Sequence, residues 1–238
     1  MSEQQQAEKP RRPFFQRVWR EWVMPLSVTF IVLGTVRSVV ADWNDVPTGS
    51  MEPTILPGDR IFVNKLAFGL RVPFTDQWVT RWGAPERGDI VICFSPKDGT
   101  RLVKRVVGIP GDTVELKDNV LTVNGAASQY GLLDVHTQDQ IEAGRRGMSR
   151  FATETLTGRE HAVMFSPWVP ARRNFGPATL GAGEYFMMGD NRDNSGDSRI
   201  FGVVHEDMIQ GRALGVALSF DADHGWSPRW DRWGSGVK

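Results

Sequence analysis

The sequence predicts a mainly β fold: an N-terminal transmembrane helix, then an antiparallel β-sheet body that carries a smaller β-rich insert. Two observations predict it. From Trp22 to Val36 the chain carries no charge, and counted through to Trp43 the apolar segment reaches about the 20 residues a helix needs to cross a bilayer. Beyond Trp43 the sequence breaks into short runs rich in Val, Ile and Phe, separated by Gly, Pro, Asp and Asn, which is how strands and turns alternate. At 238 residues, 24% charged and 40% hydrophobic, the chain is long enough to bury a core of its own.

Residues 1–21 form a polar, basic tail with Arg11, Arg12, Arg17 and Arg20. The anchor is expected over 22–43. Arg37 falls near one end of it, where the head can reach the interface while the stem stays in lipid. Trp19, Trp22 and Trp43 bracket the segment as interfacial aromatics do, and the arginines before it predict a cytoplasmic N-terminus and an exported body, 44–238. Pro25 stands in or near the first turn, where a missing N–H costs little. Two rival readings are a cleaved secretory signal, with Val39, Val40 and Ala41 loosely resembling a cleavage site, and a buried helix, because Ser27, Thr29, Gly34 and Thr35 dilute the hydrophobicity.

In the body, "RIFVNKLAF", "GDIVICF", "RLVKRVVGI", "DTVELKDNVLTVNG", "GEYFMMGD" and "GRALGVALSF" read as strands bounded by turn formers. Thr113–Leu116 and Val120–Val123, joined by "KDN", read as a hairpin. The insert is placed at about 113–180; its stretch 126–173 is more polar and less periodic. The tail "DADHGWSPRWDRWGSGVK" is rich in tryptophan and reads as aromatic packing at the chain end.

Lys+Arg equal Asp+Glu at 28 each, so no net charge draws the chain to nucleic acid. A single cysteine, Cys93, lies in an apolar run and excludes an intrachain disulfide. No Cys/His cluster has metal spacing, and no metal or organic cofactor is expected. His136, His161, His205 and His224 are scattered in polar surroundings without a catalytic context.

Three stretches can carry chemistry. "VPTGSMEPT" sets Ser50 in a tight bend, but a serine hydroxyl is a poor nucleophile until something takes its proton. With no promising histidine, a lysine desolvated by apolar neighbours can serve, because burial penalises its charged form. Lys104 in "RLVKRVV" shares a strand face with Leu102 and Val106, and Lys65 in "FVNKLAF" has a similar local setting, so the residue pattern leaves both open. The third stretch, "GDNRDNSGDSR", follows the apolar "EYFMM" and alone reads as a polar turn; it lacks the calcium-loop pattern.

Taken in order, the basic tail, apolar helix, "SMEPT", "GDRIFVNK", "KRVVGIPGD" and "GDNRDNSGDSR" closely resemble the bacterial type I signal peptidases, membrane-anchored serine proteases with a Ser/Lys dyad. The resemblance implies Ser50 as nucleophile and Lys104 as general base, with Lys65 in a structural stretch. It implies an oxyanion hole made of the Ser50 N–H and the Thr48 hydroxyl, threonine standing where many relatives have serine. Ser195 is expected to hydrogen-bond and orient Lys104, and Asp197 and Arg199 to form a supporting ion pair. Asp190, Asn191, Arg192 and Asp193 are read as structural, and Gly196 departs from an alanine of some relatives.

The same resemblance implies shallow substrate pockets around Val46, Pro47, Met51, Ile55, Leu102 and Val103. A substrate strand would lie between "NDVP" and "RLVK". The function implied is removal of signal peptides from exported pre-proteins after small residues at −3 and −1, at the cytoplasmic membrane and in contact with its lipid. Two other readings are a specialised peptidase of the same family that processes a pilus or conjugation protein, and a membrane-tethered β-domain that binds peptides without cutting them.

Overall fold

In the computed structural model, residues 14–75, 77–141, 146–221 and 224–237 are described, and one apolar helix leads into a β-rich body. The helix runs from Phe14 to Val39, and none of its most apolar window is buried against the protein. Phe30, Ile31 and Leu33 are largely exposed. An apolar surface of this length, left uncovered by the described residues, fits a membrane anchor. The tail expected over 1–21 lies outside the described residues up to residue 13.

The far end of the anchor differs from expectation. The helix stops at Val39, and the residues through Trp43 belong to a strand instead. Two competing partners explain it. Lys65 Nζ donates to the carbonyl oxygens of Arg37 at 3.2 Å and Ser38 at 3.3 Å, satisfying acceptors that a helix end leaves open. Beyond Val40 the backbone is taken up by sheet pairing.

In chain order the body begins with β1 (Ala41–Asp45) and β2 (Asp59–Asn64), then a small hairpin of β3 (Gly69–Arg71) and β4 (Trp78–Arg81). β5 (Ile90–Phe94) and β6 (Arg101–Gly108) follow, then β7 (Thr113–Lys117), β8 (Val120–Val123), β9 (Ala126–Ala127) and β10 (Gln129–Gly131). After these come β11 (Arg150–Leu156), β12 (Arg159–Phe165), β13 (Phe175–Thr179) and β14 (Glu184–Met188). β15 (Val204–His205), the long β16 (Ile209–Asp221) and β17 (Ser227–Pro228) complete the set.

The main sheet has the order β1-β2-β16-β5-β6-β14-β15, with β17 added to β16. Its pairings are antiparallel. Alternation along β5 shows how it is held: Ile90 and Ile92 pack with Met51, Ile55, Ile61 and Val63, whereas Val91 and Cys93 pack with Val106, Tyr185 and Met187. Both faces are therefore covered, which is why these strands read as continuous apolar runs.

The insert forms two sheets of its own, β13-β7-β8-β9 and β10-β11-β12. In the β7–β8 hairpin the expected three-residue link tightens to Asp118 and Asn119, whose φ of 48° and 66° suit a two-residue turn between twisted strands. Val107 and Phe186 of the main sheet pack with Val114, Leu116, Leu121 and Leu156 of the insert, so the two share one core. The mainly β, antiparallel architecture with a smaller β-rich insert is as the sequence predicts.

Candidate active site

Ser50 sits in a one-turn 3-10 helix, Gly49–Met51, on the connection between β1 and β2. The base of that connection is closed by Val46 N donating to Asp59 O at 2.9 Å and Gly58 N donating to Val46 O at 3.0 Å. Met51 and Ile55 drop into the core below it, which leaves the half-buried Ser50 on the outer side of the turn.

Lys104 comes from β6, with Val91 as its cross-strand partner. Its Nζ is 2.7 Å from Ser50 Oγ and 3.0 Å from the Val103 carbonyl oxygen. Only 2% of Lys104 is exposed. Burial pulls its pKa down from the ordinary lysine value; Asp197, Cys93 and Asp190 act the other way and Arg199 with it, but burial dominates. A neutral amine at this distance can take the hydroxyl proton. Cys93 is a core residue whose thiol burial pushes up to about 12, so it is no rival nucleophile.

The other lysine that the residue pattern left open is elsewhere. Lys65 Nζ lies over the end of the apolar helix and 3.4 Å from Asp42 Oδ2.

The stretch 189–199 locks Ser50 and Lys104 together. Asp190 takes two bonds from Arg105, at 2.8 and 2.7 Å, and one from Thr54 Oγ1 at 2.5 Å, joining β6 to the chain just after Ser50. Arg192 pairs with Glu154 of β11, and Asp193 accepts from Asn119, Arg173 and the Ser166 N–H. Gly189 has no room for a side chain, because a Cβ there would stand 2.3 Å from both Ser195 Oγ and Ser50 O. The Asp197–Arg199 pair is formed and bidentate, at 2.8 and 2.7 Å, and Asp197 also accepts from Gly189 N at 3.1 Å.

Two expectations need correction. Ser195 does not bond Lys104: the amine is engaged by Ser50 Oγ and Val103 O, and the buried Ser195 Oγ has no hydrogen-bond partner among the described residues. Ser195 therefore flanks the site, packed against Gly189. The six pocket residues also do not share one surface. Val46, Met51 and Ile55 are core, with Val103 packed on them. Leu102 packs on the opposite face, as alternation along a strand requires, and Pro47 is exposed.

Thr48 is exposed in extended conformation immediately before the turn, and its side chain makes no cap bond. Sequence reasoning missed the bonds made by Asn191: its N–H donates to Ser50 O at 3.1 Å, and its Nδ2 donates to Gly49 O at 3.1 Å and Glu52 Oε2 at 3.4 Å. Among the described residues no cluster of His, Cys, Asp and Glu could hold a metal ion.

The family described as "Signal peptidase, peptidase S26" matches residues 19–218, a span that includes both Ser50 and Lys104. Signal peptidase I of Pseudomonas aeruginosa is 38% identical over 208 residues, covering 81% of this chain and 70% of that protein. Signal peptidase I of Pseudomonas fluorescens is 37% identical over 205 residues, with the same coverage of 81% and 70%. Signal peptidase I T of Bacillus subtilis is 33% identical over 202 residues, covering 84% of this chain and 86% of that protein. A match that covers most of the apolar helix and of the main sheet, with the Ser50–Lys104 contact inside it, makes this chain a member of the signal peptidase family, peptidase S26, and a hydrolase of the signal peptidase I kind.

Proposed function

We propose that the protein removes signal peptides from exported pre-proteins by a Ser50/Lys104 dyad, cutting after small residues at −3 and −1. The observation that carries this is the 2.7 Å contact between Ser50 Oγ and a buried lysine amine. The neutral Lys104 amine takes the Ser50 proton as Oγ attacks the scissile carbonyl carbon. The tetrahedral oxyanion collapses to an ester of Ser50, and Lys104 returns its proton to the departing amine. Water then attacks the ester and gives a proton to Lys104, which passes it to the departing Ser50 Oγ as the ester C–O bond breaks, releasing the new carboxyl end and restoring the serine and the neutral amine.

The oxyanion would be met by the Ser50 N–H, which donates to no other group among the described residues, and by the Thr48 hydroxyl. One such donor is typically worth about 3 kcal/mol of barrier. The pairing of β6 supports a substrate strand at the site. β14 pairs with Arg105, Val106 and Gly108, so among the described residues Arg101–Lys104 have a strand neighbour on one side, β5. An extended peptide can add to that edge. Its specificity then rests on steric exclusion above the floor of Val46, Met51, Ile55 and Val103.

The basic residues before the helix support a cytoplasmic N-terminus and an extracytoplasmic body, 44–238, with the helix in membrane lipid. The test is cleavage of a purified pre-protein with an Ala-x-Ala site by the wild type, Ser50→Ala and Lys104→Ala in detergent. The expected result is one cut by the wild type and none by the folded variants. Turnover by Lys104→Ala would overturn the dyad.

A further inference from the structure

We propose that Asn191 is a positioning residue that aims the Ser50 N–H at the developing oxyanion, with Glu52 fixing the Asn191 side chain in turn. The inference rests on the proposed role of Ser50. It starts from peptide geometry: in a trans peptide the C=O and the following N–H point in opposite directions. Whatever holds the Gly49 carbonyl therefore orients the Ser50 N–H.

That carbonyl is held twice, by Asn191 Nδ2 at 3.1 Å and by Glu52 N at 3.2 Å. The next carbonyl, Ser50 O, is held by the Asn191 N–H at 3.1 Å. One residue thus grips both peptide planes that flank the Ser50 Cα, from the side opposite the free N–H. Rotation of the Gly49–Ser50 plane would turn the donor away from the reacting carbonyl, and the hold on Ser50 O keeps the adjoining plane from relaxing with it.

Asn191 is itself buried, and which end of its amide faces the turn is decided by chemistry. Gly49 O can only accept, and Glu52 Oε2 stands 3.4 Å from the same Nδ2, so the nitrogen must be on that side. The buried Glu52 carboxylate lies against Gly49, where a Cβ would come within 2.7 Å of it. A side chain at residue 49 would therefore push the Glu52 carboxylate out of this place. Neither Asn191 nor Glu52 touches the reacting atoms, so both would act through the backbone.

A loosened oxyanion peptide should impair the transition state while leaving substrate binding and the base alone. The experiment compares Asn191→Ala, Asn191→Asp and Glu52→Gln with the wild type in the membrane-anchored enzyme. Active sites are counted by titration with a serine-acylating reagent, so that misfolded protein is excluded. For Asn191→Ala, kcat per active site is expected to fall about 10- to 100-fold, with KM within about threefold and the acid limb of the pH profile unmoved.

Asn191→Asp, which replaces the donor by an acceptor facing Gly49 O, should lose at least as much. Glu52→Gln should lose less, because Asn191 keeps its bond to Gly49. Affinity for a peptide boronate, which mimics the tetrahedral state, should fall in step with kcat. Unchanged kcat per active site in Asn191→Asp would overturn the proposal, as would a loss carried by KM alone. Lys104→Ala run in parallel keeps the failures apart: if it is active, the dyad itself is wrong, whereas an inert Lys104→Ala with normal Asn191 variants rejects only the positioning role.

Discussion

At the scale of single residues, the proposed dyad turns on how little water reaches Lys104. Its neighbours on β5 and β6, Val91, Cys93, Leu102 and Val106, are apolar, and all but the half-buried Leu102 are closed off from solvent. The ammonium is disfavoured there, so the folded pKa lies below the ordinary value. The sign follows directly. Above the lowered pKa the amine is neutral and can accept a proton; below it the lone pair is gone, and kcat/KM should fall about tenfold per pH unit on the acid side. A pH profile flat from mildly acid to alkaline conditions would show that Lys104 is not the base. The choice between Lys104 and Lys65 was not decidable from local pattern, because both have apolar neighbours in the sequence. What separates them is long-range: one faces Ser50 and the other meets the end of the helix. The reach of Asn191 was hidden for the same reason, since no local pattern shows which carbonyl a loop side chain will meet.

At the scale of elements, strands built on apolar runs were legible and strands with polar interiors were not. β2, β5, β6, β14 and β16 announce themselves by runs of Val, Ile, Phe and Met. β1 does not, because in "ADWND" only Asn44 is buried and its pairing comes from β2. β11 and β12 are obscured by Glu154 and His161, which face inward and break the apolar alternation. Glu154 is inside because Arg192 needs it: both are buried and bonded bidentately, and the Tyr130 hydroxyl adds a third bond at 2.5 Å. Removing one partner strands a buried charge, so Glu154→Gln is expected to lower stability by about 3 to 5 kcal/mol in urea unfolding. Replacing both, as Glu154→Leu with Arg192→Met, should cost distinctly less. Equal losses in the single and double variants would mean that the charge pairing is not what matters there. Because Arg192 N donates to Met164 O at 2.8 Å while Asn191 N donates to Ser50 O, the insert and the Ser50 turn are clamped by adjacent residues of one loop.

At the scale of the whole molecule, an exposed apolar helix and a body with its own core are joined almost without slack. Val40 alone separates the last helical residue, Val39, from the first residue of β1. Lys65 ties down both sides of that joint, its N–H bonding Val40 O at 3.1 Å and its amine the helix end. Arg37 adds a bond to Asp42 at 3.0 Å across the same point. A joint this short and bonded at three residues restrains swinging, so on the proposed reading the enzyme acts as a ruler. The scissile bond must reach a set height above the bilayer, and a precursor is measured by the length between its apolar segment and its cut site as well as by the side chains flanking the cut. Inserting four residues of Gly and Ser after Val40 should leave hydrolysis of a short soluble peptide intact while moving the preferred precursor length or abolishing precursor cleavage. If both substrates are cut as before, height is not being measured.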